Sequence, residues 1–115
     1  MFLKFDPRRL DDSSVELIGD LAERSMMHSA PALARWLVAF SQGEHFRRVS
    51  ERDGVPREPS LPDLPITQWR DTDVAEAMVA LSFLTFMKLD SELARFCDAG
   101  YKLARGESFR RLVRR

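Results

Sequence analysis

The 115 residues suffice for one domain with a modest core, and 44% hydrophobic with 31% charged content is the balance of a globular protein. Eighteen Lys+Arg against eighteen Asp+Glu leave no net charge, which excludes a global field drawing the chain to nucleic acid or an anionic membrane. One cysteine, Cys97, excludes an intramolecular disulfide.

The chain starts with a greasy arm, residues 1–12, carrying Phe2, Leu3 and Phe5. No apolar stretch of signal-peptide length is present there, and with a lone cysteine this predicts a cytoplasmic protein. Asp6-Pro7 reads as an N-cap followed by proline at the first helical position, opening one turn through Leu10.

A first helical half, 13–53, begins with the capping-box spacing Ser13-x-x-Glu16. Val15, Leu17, Ile18, Leu21, Ala22 and Met26 form the apolar stripe of a helix running to about His28. Gly19 weakens it by ~1 kcal/mol relative to alanine unless a neighbour packs closely there. Ser29 reads as the cap of a second helix, with Pro31 in its first turn and Leu33, Trp36, Leu37 and Phe40 on its stripe. That stripe needs apolar residues near 44 and 47 but meets Glu44 and Arg47, and the apolar phase restarts at Phe46 and Val49. A break at Gly43 and a short third helix through about Arg52 would account for the shift.

Residues 54–72 form a Pro-rich connector, with four prolines between 54 and 66 that exclude regular helix or central strand. Its leucines, its isoleucine and Trp69 are expected to tack onto the core.

The second half, 73–115, is organised around Val74–Leu89, interrupted only by Glu76, Ser82, Thr85 and Lys88. At ~3.6 residues per turn its apolar residues fall on every side, predicting a central helix wrapped by neighbours or shared with a second copy. Leu81 and Phe83 are its expected core anchors. A further helix capped by Asp90 or Ser91 carries Leu93, Phe96, Cys97, Gly100 and Ala104. Its stripe fails at Glu107 and Arg111 and restarts beyond Gly106 at Phe109, Leu112 and Val113, giving a basic C-terminal helix.

The two halves resemble each other. Leu33-Ala34-Arg35-Trp36 precedes Gly43-Glu44-His45-Phe46-Arg47-Arg48-Val49, and Leu93-Ala94-Arg95-Phe96 precedes Gly106-Glu107-Ser108-Phe109-Arg110-Arg111-Leu112. The expected fold is therefore all-α, a compact bundle of about five helices, as two helix–helix–short-helix units joined by a Pro-rich crossover.

No catalytic, cofactor-binding or metal site is expected. His28 and His45 stand apart without ligand spacing, Cys97 sits on an apolar stripe, and Asp71, Asp73 and Glu76 suit a helix N-terminus better than a cation loop. Arginine outnumbers lysine fifteen to three, favouring bidentate contacts to carboxylate or phosphate. Arg47, Arg48, Arg105, Arg110, Arg111, Arg114 and Arg115 form the candidate interaction surface if both short helices lie at one end of the bundle. The expected function is a non-enzymatic protein–protein interaction module, an adaptor or small subunit, homo-oligomeric and most simply a homodimer, with no membrane partner. The alternative is a nucleic-acid-associated subunit, for example of a ribonucleoprotein effector, placing its arginine-rich end on phosphates.

Overall fold

Helix-forming runs punctuated by proline produce four α-helices, and no strand occurs among the described residues, which are 4–58, 61–87 and 91–114 of a computed structural model. They are α1 (Asp12–Leu21), α2 (Pro31–Arg52), α3 (Asp71–Phe86) and α4 (Ser91–Arg114). A π-helical turn, Ala22–Met26, continues α1, and 3-10 turns at Pro7–Arg9 and Ile66–Gln68 lead into α1 and α3. No described helix is long and apolar enough to cross a membrane.

The caps follow local chemistry. Asp6 accepts from the Arg8 N–H at 3.0 Å with Pro7 at the first helical position, as its sequence predicts. α1 is capped by Asp11 rather than Ser13, its Oδ1 accepting from the Ser14 N–H at 2.7 Å. α3 starts at Asp71, and the Asp73 carboxylate reaches back to accept from the Arg70 N–H at 3.1 Å. α2 starts at Pro31 after Ala30, which makes no side-chain cap, so Ser29 does not serve as one. The expected arm residues Phe2 and Leu3, and Lys88, Leu89 and Asp90 at the end of the central stretch, lie outside the described residues.

α1 packs mainly on α2, and α3 mainly on α4. Between the pairs, Phe40 stacks on Phe96 with ring centroids 5.0 Å apart and Trp36 on Phe96 at 6.3 Å, and Phe5 from the segment before α1 meets Phe96 edge-on at 5.4 Å. The Trp36 indole N–H donates to the Pro62 carbonyl at 3.1 Å, and Leu64 and Ile66 are buried, so the connector is tacked to the core. Gly54, at φ 86°, ends the α2 exit in the left-handed region that glycine favours.

Two expectations are corrected. Among the described residues the α-helices number four, because α2 and α4 run unbroken through Gly43 and Gly106. The core-facing stripe does not end there. It continues as Glu44, 3% exposed, together with buried Arg47, so a charged pair occupies positions that periodicity assigns to apolar residues. Nor is α3 wrapped on all sides. Val74, Ala77, Leu81 and Leu84 are buried, whereas Val79 is 71%, Phe83 68% and Phe86 85% exposed.

Candidate interaction surface

Three of the predicted arginines, Arg47, Arg48 and Arg111, turn inward, and a fourth, Arg110, is partly exposed but paired. Arg47 donates from Nη2 to Glu44 Oε1 at 2.6 Å and from Nη1 to Glu51 at 2.7 Å. Arg48 donates from Nε to Glu44 Oε1 at 2.9 Å and from Nη1 to Asp12 Oδ1 at 2.7 Å. Its Nη2 reaches the carbonyls of Leu10 at 2.6 Å and Pro7 at 3.1 Å.

The second half repeats the wiring of Arg48 atom for atom in Arg111, whereas the Glu51 that Arg47 also reaches is replaced by Arg114 beside Arg110. Arg110 pairs with Glu107. Arg111 donates from Nε to Glu107 Oε1 at 2.9 Å, from Nη1 to Asp71 Oδ1 at 2.9 Å, and from Nη2 to Trp69 at 2.7 Å and Ile66 at 3.0 Å. Arg48 and Arg111 thus each clamp the C-terminal end of the second helix of their half to the turn that enters the first, whereas Arg47 and Arg110 bond within their own helix. These charge-assisted, forked contacts are beyond the reach of a lysine.

Both glutamates are nearly dry, Glu107 being 1% exposed. Hydrogen bonds from Arg110 and Arg111 outweigh burial and lower the Glu107 carboxyl to about 2. Burial alone would raise the Glu44 carboxyl, but the bonds from Arg47 and Arg48 leave it lowered. Burial also pushes the Cys97 thiol up to about 11, so it is an inert core group. Of the remaining predicted surface arginines, Arg105 and Arg114 are exposed and Arg115 lies outside the described residues.

Burial matches at many corresponding positions of the two halves, although Met26 and Ala32 are buried where Thr85 and Arg95 are exposed. Val15, Ile18 and Ala22 are buried, and so are Val74, Ala77 and Leu81, each 59 positions later. Leu33, Ala34, Leu37, Ser41 and Glu44 are buried, as are Phe96, Cys97, Gly100, Ala104 and Glu107, each 63 positions later.

The outer faces differ. On α1 and the turn after it, exposed Glu16, Asp20 and Arg24 face solvent, and 59 positions later exposed Ala75, Val79 and Phe83 stand on α3. Beside α1, a cleft of about 390 Å³ is rimmed by the charged residues Asp12, Glu16, Asp20 and Glu23 with His45, Arg48 and Arg52 from α2, and Val15 and Val38 also line it. Beside α3, a groove of about 590 Å³ is lined by Leu21, Met26, Val79, Ala80, Phe83 and Met87, with Glu76 the charged residue among those lining it. The apolar composition of Val74–Leu89 signalled an unusual helix, but not which of its sides would be left uncovered.

Among the described residues, no group of three or more His, Cys, Asp or Glu side chains is placed to hold a metal ion. No protein-family model, curated protein or solved structure matches this chain.

Proposed function

We propose that this chain is a non-enzymatic helical interaction module, an adaptor or small subunit, built from two copies of one helix-pair unit and docking through the outer face of α3. The tandem reading is supported by the equivalent clamps of Arg48 and Arg111 and by burial that matches at many corresponding positions of the two halves. One observation carries the docking reading. The outer face of the unit is charged where α1 bears Glu16, Asp20 and Arg24, and apolar where α3 bears Ala75, Val79 and Phe83.

The first copy acts as an internal control. The unit folds with a charged outer face, so the apolar one on α3 serves something other than folding. Contiguous exposed apolar surface of this kind marks interaction sites in soluble proteins. The phosphate-binding alternative is weakened because Arg47, Arg48, Arg110 and Arg111 are already engaged by carboxylates and carbonyls. Cytoplasmic residence agrees with a buried, unpaired Cys97.

The test is a photo-cross-linking amino acid placed at Val79, or at the corresponding Asp20, in the full chain expressed in cells. Discrete covalent adducts from position 79 and none from position 20 are expected. Equal labelling from both positions, or none from 79, would overturn the docking reading.

A further inference from the structure

Resting on that docking reading, we propose that the occupant of the α3 face is a second copy of this chain, held in an isologous interface about a two-fold axis with the two α3 helices antiparallel. Three features argue for self-association. The first is area. With a fully exposed Phe offering about 150–250 Å², Val79, Phe83, Phe86 and Met87 together present on the order of 500 Å² of apolar surface. A stable interface needs about 800 Å² from each partner, and homodimer interfaces are about 65% apolar. The patch therefore supplies the apolar share of one such half-interface, leaving a polar rim to make up the rest.

The second feature is shape. A two-fold interface must be complementary to itself, so a ridge and the hollow that receives it have to lie on one face. α3 carries both. Val79, Ala80 and Phe83 line the groove, while Phe86 stands outside it and is the most exposed large apolar residue among the described residues. With the axis passing midway between Val79 and Ser82, Phe86 of each copy comes opposite Ala75 of the other. There the small alanine side chain leaves room at the groove's end.

The third feature is charge. Between Val74 and Met87 the only ionisable side chain is Glu76, and the chain as a whole carries no net charge, so two copies meet without repulsion at neutral pH. The depletion of charge at the centre of the patch is the compositional mark of an interface core.

Light scattering on the full chain, from about 1 to 100 µM so as to bracket micromolar affinity, tests this. The wild type should reach twice the 13.3 kDa chain mass at the upper end. Val79→Asp and Phe83→Asp should stay at the single-chain mass throughout with unchanged helical circular dichroism. A short bis-maleimide should join two Val79→Cys chains but not two Asp20→Cys chains, and this arm stands even if an Asp variant fails to fold. A wild-type mass that stays monomeric would overturn the second copy as occupant, while adducts to another protein from position 79 would keep the docking reading. A dimer that survives both Asp variants, or no cross-link at position 79, would likewise overturn the proposal.

Discussion

Arg111 Nη2 donates to the Trp69 carbonyl at 2.7 Å, tying the end of α4 to the turn that leads into α3. Removing that guanidinium strips a contact from buried Glu107 and leaves the Ile66 and Trp69 carbonyls without this donor. Arg111→Ala should cost about 1–3 kcal/mol in chemical denaturation, the usual penalty for orphaned buried polar groups. Arg111→Lys should recover little, because an ammonium cannot reproduce the fork. Exposed Arg105→Ala should stay within about 0.5 kcal/mol of wild type.

The clamps also set an acid limit. Glu107 is lowered to about 2 from an ordinary 4.5 by its bonds from Arg110 and Arg111, so its folded-state affinity for a proton is below its unfolded-state affinity. Its contribution is complete above about pH 4.5 and is lost as pH falls towards 2, and Glu44 acts in the same direction. Thermal midpoints measured across that window should fall steeply for wild type and more gently for Glu107→Gln. Equal slopes would mean that Glu107 is not clamped as described.

Glycine has opposite roles at two kinds of helical position. A Cβ at Gly19 would lie 2.5 Å from Ser41 Oγ, and that hydroxyl is committed to the Val15 carbonyl at 2.8 Å. Gly19→Ala should therefore destabilise, since overpacking costs about 1–3 kcal/mol against a propensity gain of ~1 kcal/mol. Nothing lies within 4 Å of a Cβ at Gly43 or Gly106, so alanine there should raise the unfolding free energy, by up to about 1 kcal/mol each. Urea denaturation of the three variants separates the two cases.

Leu81 is the α3 residue whose loss should hurt most. It is buried, and its Cδ1 lies 3.2 Å from where a Cβ at Gly100 would stand, which shows how closely α4 approaches it. Leu81→Ala should cost about 2–5 kcal/mol, the transfer term plus a residual cavity. Phe83, expected from sequence to be its equal, is 68% exposed and should tolerate alanine with a small change. Denaturation midpoints that rank the two the other way would place Phe83 in the core.

The stripes of α2 and α4 were legible because Leu33, Leu37, Phe96 and Gly100 follow the helical period and are buried as that period requires. Glu44 and Arg47 were misread for the same reason that makes periodicity useful, namely that it treats every charge as solvated. A buried ion pair satisfied by its own neighbours obeys the period while breaking the polarity pattern. The spacing of one glutamate to two following arginines, present at 44 and again at 107, was the available signal, and the matching Asp12 and Asp71 complete it. The uncovered side of α3 was not legible, since an all-apolar helix has the same sequence whether its outer face is buried in the chain or kept for docking.

The most direct measurement is the unfolding free energy of Val79→Asp at a concentration low enough to keep every copy monomeric. Val79 is 71% exposed and stands where the first half carries Asp20, so a value within about 0.5 kcal/mol of wild type is expected. A loss of about 2 kcal/mol or more, in the range of a truncated core side chain, would show that the outer face of α3 belongs to the folding core and would contradict its assignment to docking.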